Sequence, residues 1–497
     1  MGEPAYIIDA VIAATAQRKA AADGSVDKFL SASTLADILR QFCLLCRVSE
    51  PLSREGLYRI VQWQIAQIDR LLNAQVNAIL HHPRFQRLEA TWRGLLYLVT
   101  EADGAEQVKI RMLDVSWKQV ARDLDRAIEF DQSQLFRKIF KQEFGSPGGE
   151  PFGVLLGDYW IRHRPRPDDT TDDVATLREM SSVAAAAFAP FIVGADPALF
   201  GLDDFSGLAR TLNLESIFAQ NEYIKWNALR EMPDARFVGL TVPRVLMRRP
   251  YRLDNLREDG FCFREDVAGP DAGNYLWGNA CFALGSVLIR SFNDYGWFAN
   301  IRGCPDGVSG GVVTGIPIDY FLTDHAGVAG KYTTDVLITD AEDKQLADFG
   351  FIPLCHSRNT EYAVFYSNQS LQKAIEYNNA AAGVNAQLSA MLQYILCTSR
   401  FAHFLKVIGR DKVGSFATPE ECETFLHEWL MQYVTASDMG SHEMRAKYPL
   451  SEGRVEVKAI PAKPGSYSCV MHLKPHTQFD QMVSAIKLVT DIAQASV

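Results

Sequence analysis

From Leu57 to Leu80 the apolar positions fall at 57, 60, 61, 65, 68, 71, 72, 76 and 79, the three-and-four spacing of a long amphipathic helix that Pro83 ends. Ahead of it, Ile7, Ile8, Val11 and Ile12 share one face of a short helix predicted over 5–16. A polar stretch, Lys19 to Ser31, separates that helix from a second helical pattern over 34–46. A helix as short as 5–16 is marginal alone in water, so it needs a core or a partner's groove to fold against. Another helix is predicted over 84–100, carrying Phe85, Leu88, Trp92, Leu95, Leu96 and Val99. The period then changes: Val108, Ile110 and Met112 alternate with Lys109 and Arg111, which predicts a half-buried strand. Helices follow at 117–128 and 132–142, before a turn at 145–149.

The middle of the chain alternates short apolar runs with helical patterns. Strands are expected at 153–157, 191–194, 236–242, 335–339, 347–354 and 361–366, and helices at 173–188, 220–230 and 275–293. Phe237–Val242 is apolar almost without a break, as in strands buried on both faces. A helix over 384–408 opens the last third. Thr418, Pro419 and Glu421 then supply an N-cap, a first-turn proline and a third-position glutamate for a helix running to about 435. Alternation over 453–460 and 466–474, around Pro461–Gly465, predicts an antiparallel hairpin, and 482–492 reads as strand or helix. The fold class is α/β, with mixed sheets flanked by helices and an N-terminal helical extension. The expected division is 1–60, 61–380 and 381–497.

With 497 residues the chain exceeds the size at which one core keeps growing, so two or three domains are expected. Its net charge of -10 argues against a nucleic-acid or anionic-membrane surface. The arginine clusters at 162, 164, 166 and 244, 248, 249 read as solvated or interface-pairing groups, since Asp168, Asp169, Asp172 and Asp173 lie beside the first. Nine scattered cysteines fit a reducing compartment. The first residues lack the positive segment of a secretory signal, and Tyr6 stands where myristoylation requires Ser or Thr, so a cytoplasmic protein is expected.

Candidate chemistry is sparse. Gly307-Val308-Ser309-Gly310-Gly311 matches the nucleophile-elbow pattern of a serine hydrolase, but its surroundings read as a loop rather than a strand-turn-helix corner. Cys43 and Cys46 sit one helical turn apart without a second pair at metal spacing. His472 and His476 lie on and just beyond a predicted strand, where such spacing shares no helix face, while His81 and His82 sit at a helix end before Pro83, where they are expected to cap carbonyls. The glycines of 145–153 lack a P-loop's Lys-Ser/Thr, and Glu150 would repel phosphate. No cofactor, metal or catalytic constellation is expected.

Several stretches carry a resemblance: NAQVNAILHHPRFQRLEATWRGLLYLV (73–99), KQEFGSPGGEPFGVLLGDY (141–159), APFIVGADPALFGLDDFSGL (189–208), DARFVGLTVPRVLMRRPY (234–251), YLWGNACFALGSVLIRSF (275–292) and RFAHFLKVIGRDKVGSF (400–416). In order, and on through the C-terminal hairpin, they resemble the large sheath-subunit family of type VI secretion systems, the TssC or VipB type. The resemblance implies a contractile tail-sheath-like fold and a structural role rather than an enzymatic one. It implies a small sheath subunit of the TssB or VipA type as partner, helical self-assembly around an inner tube of the Hcp type, a baseplate, and disassembly by a recycling ATPase of the Clp class (ClpV type). Ile7, Ile8, Val11 and Ile12 match in position the segment that the ATPase grips. Val455, Val457, Tyr467, Cys469, Met471, Ile486 and Leu488 are the positions expected to weave an inter-subunit sheet, and 418–435 is the candidate for tube attachment. The alternatives are a sheath-like accessory protein of the same machine and a hydrolase using Ser309.

Overall fold

The computed structural model describes residues 25–46, 53–252 except 106, 147, 168 and 211, and 261–492 except 262, 268–271, 305–309, 323–328, 357–361, 376, 379, 412–417, 436–441, 460–466 and 477–485. The chain forms two compact units, one of residues 1–77 with 253–264 and one of 78–252 with 265–497.

The first unit is helical where it is described. Helices α1 (Ser25–Ser31) and α2 (Leu35–Leu45) meet through Phe29 and Phe42, 6.4 Å apart. The Thr34 hydroxyl starts α2 by accepting from the Asp37 amide at 3.2 Å. Helix α3 (Arg54–Leu80) begins here and runs on into the second unit. It buries no residue of its own, and Tyr58, Trp63, Ile65, Ile68, Leu71 and Leu72 are exposed. Its Asn73 accepts from the Arg264 amide at 2.8 Å, which ties Arg264 to α3.

The second unit is built on a parallel sheet in the order β1 (Leu155–Ile161), β2 (Phe191–Ala195), β3 (Val238–Val242) and β9 (Phe351–Pro353). Every residue of β2 and β3 is buried, as expected for strands covered on both faces. One covering layer contains α5 (Trp117–Arg126), α6 (Asp173–Ala187), α7 (Leu214–Phe218) and α8 (Ile224–Arg230) over a core that includes Leu177, Phe200, Tyr223 and Trp226. The other contains α4 (Pro83–Glu101) and α9 (Cys281–Tyr295), which close on each other at glycines. A Cβ on Gly94 would stand 2.5 Å from the Phe282 ring, and one on Gly285 would stand 2.9 Å from Leu98. Short strands β4 (Val245–Arg248) with β5 (Leu276–Gly278), β6 (Val312–Val313) with β10 (Cys355–His356) and β11 (Ala363–Val364), and β7 (Asp319–Leu322) with β8 (Ala329–Tyr332) make small antiparallel pairings around this centre.

Helices α11 (Ala380–Ser389), α12 (Leu392–Asp411), α13 (Pro419–Met431) and α14 (His442–Lys447) lead into an antiparallel sheet of β12 (Leu450–Ala459), β13 (Tyr467–Pro475) and β14 (Ile486–Ile492), with β13 in the middle. Thr418 caps α13 through the Glu421 amide at 3.2 Å, and Pro419 stands at its first turn, as the sequence predicts.

Several expectations are corrected. Residues 108–112 form no strand: Ile110 and Met112 stay exposed, and Lys109 and Arg111 turn instead to Glu150 and Glu143. The 335–339 strand is absent, and the helix α10 (Asp340–Asp348) follows from a Thr339–Glu342 capping box. The 275–293 helix starts only at Cys281, because 276–278 pair with β4. The 132–142 helix is broken by a π turn at Arg137–Lys141. His82 caps the start of α4, its Nδ1 accepting from the Arg84 amide at 3.3 Å, rather than capping carbonyls at the end of α3.

Candidate interaction surface

Two surfaces stand out among the described residues. The first is the outer face of α4. Ala90, Gly94 and Leu98 are buried toward α9, which leaves Phe85, Leu88, Trp92, Leu96 and Val99 on the opposite face, between 37% and 61% exposed. Their spacing of three and four places five large apolar groups in one stripe along the helix. Exposed Arg84 and Arg87 flank it, and Arg93 pairs with Glu89 at 2.8 Å.

The second is the C-terminal sheet. The predicted residues Val455, Val457, Cys469 and Met471 turn their side chains into the chain's own core with Phe401, Leu405, Leu426 and Leu430. Tyr467 pairs with Ala459 and Ile492, Ile486 with Leu473, and Leu488 with Met471. What this sheet leaves at its edges is therefore its main chain. The Val457 amide donates to Glu423 Oε2 at 2.9 Å, so Val457 turns its main-chain groups away from β13. Alternation carried across the register then turns those of Lys487, Val489 and Asp491 away from β13 on the far side of β14. Among the described residues no strand lies beyond β14. The segment with Ile7, Ile8, Val11 and Ile12 lies outside the described residues.

No catalytic centre emerges among the described residues. Ser309 is outside them, and the chain after Gly311 enters strand β6, not the helix a nucleophile elbow requires. The nearest approach to a nucleophile constellation is Cys355, whose thiol donates to Asp343 at 3.7 Å while Ser367 donates to the same carboxylate at 2.6 Å. Burial and that carboxylate push the thiol far up, which leaves a poor nucleophile. Burial likewise holds the Cys397 and Cys469 thiols up at about 12. No group of His, Cys, Asp and Glu could hold a metal among the described residues. A cavity of about 40 Å³ between Asn300, Tyr394, Cys397 and Arg445 has room for little beyond water.

Five of the six arginines in the two clusters pair with the chain's own carboxylates. Arg162 pairs with Asp169 at 2.7 Å and Asp173 at 3.1 Å, Arg164 with Glu222 at 2.8 Å, and Arg166 with Asp196 at 3.0 Å. Arg244 pairs with Asp335 at 2.7 Å, and Arg248 makes a two-pronged contact with Glu265 and a third with Glu89 at 2.8 Å. No helix among the described residues is long and apolar enough to cross a membrane.

The chain has no reactive centre among the described residues, and its similarity to known proteins points to assembly proteins. The family model described as EvpB/VC_A0108, tail sheath N-terminal domain, matches residues 62–372, and that described as EvpB/VC_A0108, tail sheath gpW/gp25-like domain, matches 381–492. The chain belongs to the EvpB/VC_A0108 tail sheath family. It is 41% identical over 434 residues to the type VI secretion system sheath protein TssC1 of Pseudomonas aeruginosa, covering 87% of this chain and 85% of that one. A chain of the cryo-EM structure of the anti-feeding prophage (AFP) baseplate, 6-fold symmetrised, aligns with a TM-score of 0.31 and 9% identity over 71% of this chain and 73% of its own length. As a member of the tail sheath family the chain is a structural sheath subunit and not an enzyme. The sequence marked Phe85, Leu88, Trp92, Leu96 and Val99 as a helix face but could not say that α9 would occupy the other side. The glycines at 94 and 285 were the one available signal.

Proposed function

We propose that the chain is the large subunit of a type VI secretion sheath: it pairs with a small sheath subunit of the TssB or VipA type, and the pairs polymerise helically around an inner tube of the Hcp type. Contraction of that polymer drives the tube outward from a baseplate, and a Clp-class ATPase recycles the contracted form by gripping Ile7, Ile8, Val11 and Ile12. The observation that carries the pairing is the exposed stripe of Phe85, Leu88, Trp92, Leu96 and Val99 on α4. Such a stripe suits an amphipathic helix laid along it, and Arg84 and Arg87 favour one with acidic flanks. The free thiols of the eight described cysteines fit work in the cytoplasm. Residues 1–60 are assigned to partner and ATPase contacts, 61–380 to the outer and middle layers of the sheath, and 381–497 to its inner core, where α13 is the candidate for tube attachment.

Co-expression with the small subunit, followed by negative-stain electron microscopy, tests this reading. Long hollow tubes are expected, disassembled by the recycling ATPase unless Ile8 and Ile12 are replaced by Asp. Trp92→Asp with Leu96→Asp should abolish co-purification of the small subunit, since a buried Trp at an interface centre contributes upward of about 2 kcal/mol. Soluble particles alone, across a range of salt, would point to an accessory component of the machine.

A further inference from the structure

The two edges of the C-terminal sheet are unlike. On β12 the outward main-chain groups are engaged at two points, Leu450 and Val457. The Leu450 amide donates to the Tyr433 carbonyl at 3.2 Å, and its own carbonyl accepts from the Thr435 amide at 2.9 Å. Further along, Leu430 lies so close over Gly453 that a Cβ there would stand 2.8 Å from its Cδ2. Beyond that, the Val457 amide is held by Glu423 of α13 at 2.9 Å. Beyond β14, by contrast, no strand is present among the described residues.

We infer that Glu423 is an edge guard: its carboxylate withdraws β12 from strand pairing, so that the sheet takes a neighbour's strand on β14 alone. An unpaired amide on a strand edge is a template for another chain, and the usual remedies are a charge or a cover. Glu423 supplies both. Its charge-assisted bond satisfies the Val457 donor, and its negative oxygens repel the carbonyl groups that any incoming strand would bring to that edge. A sheet open on one side makes a directional contact, which propagates as a filament. A sheet open on both sides admits a second, competing mode of addition. The identity of the strand that β14 receives rests on the sheath reading above, whereas the closure of β12 does not.

The test compares Glu423→Ala, Glu423→Gln and Leu426→Ala in the full chain, following Val457 amide hydrogen exchange and association by sedimentation velocity. In Glu423→Ala the Val457 amide should exchange faster by roughly tenfold, the scale of one charge-assisted bond, and the chain should self-associate beyond the wild type. Glu423→Gln keeps an acceptor oxygen and should follow the wild type in exchange, with association restrained. Leu426→Ala empties a core position of the same helix, reports destabilisation alone, and should not add association. The inference is overturned if Glu423→Ala leaves Val457 exchange unchanged, if it stays as dispersed as the wild type, or if Leu426→Ala associates equally. Tubes that persist after removal of 482–497 would sink the strand-joined sheath reading while leaving the result at Glu423 standing.

Discussion

His403 is 2% exposed, packed between Phe144 and Phe188, with its Nε2 3.1 Å from the Ala187 carbonyl oxygen. Burial, with the charges of Arg400 and Lys406 beside it, pushes its pKa down to about 4, against 6.5 when exposed. Between those values the unfolded chain binds the proton and the folded chain does not, so this contribution is fully present above pH 6.5 and is lost as pH falls toward 4. The span corresponds to about 3 kcal/mol. Asp335 works against it. Burial raises its carboxyl to about 6 from 3.8 despite Arg244, so the folded chain gains stability as pH falls through 6. The two windows overlap, and the net slope of the wild type does not isolate His403. The difference between wild type and His403→Gln does: urea midpoints should converge as pH drops from 7.5 to 4.5, and a constant gap would refute the assignment. Nothing in the sequence marked His403. The spacing of 384–408 gives a helix but not the rings of 144 and 188, which arrive from far away in the chain.

Helices with local start signals were legible, and elements defined by distant partners were not. Thr418-Pro419 and the long period of α3 belong to the first kind. The 108–112 alternation belongs to the second: it has the period of a strand, but no strand comes to pair with it, and ion pairs to Glu143 and Glu150 hold it instead. The hairpin 453–474 was readable because its two halves are neighbours, whereas 482–492 stayed ambiguous until β13 supplied its partner. The α4–α9 contact yields a prediction at this scale. Gly94→Ala drives a methyl into the Phe282 ring at 2.5 Å and should cost about 1–3 kcal/mol through overpacking, read as a lower thermal midpoint. Gly145→Ala, with nothing within 4 Å of the new methyl, is the control and should change the midpoint little. Equal shifts would mean that helix propensity, not the close approach, sets the response.

For the whole molecule, fold class followed from local pattern, but the role did not. A parallel sheet buried on both faces, thiols held up by burial and arginines matched by internal carboxylates describe a sturdy scaffold with no reactive centre among the described residues. Function then rests on edges and faces, which a single chain's periodicity cannot distinguish from core. Val455, Val457, Cys469 and Met471 show the difficulty, since their alternation gave the strand correctly while their side chains serve the chain's own interior. The inter-subunit contact expected of them is proposed instead for the main chain of β14. Deleting 482–497 removes that strand and bares β13, yet leaves untouched the α4 stripe proposed above to hold the small subunit. The two steps of assembly should therefore separate: the truncated chain still co-purifies with the small subunit, and electron microscopy finds no long tubes. Loss of both would mean that β14 is needed to hold the fold, which a thermal melt of the truncated pair would reveal as an early transition. Retention of both would mean that subunits are joined through some surface other than this edge.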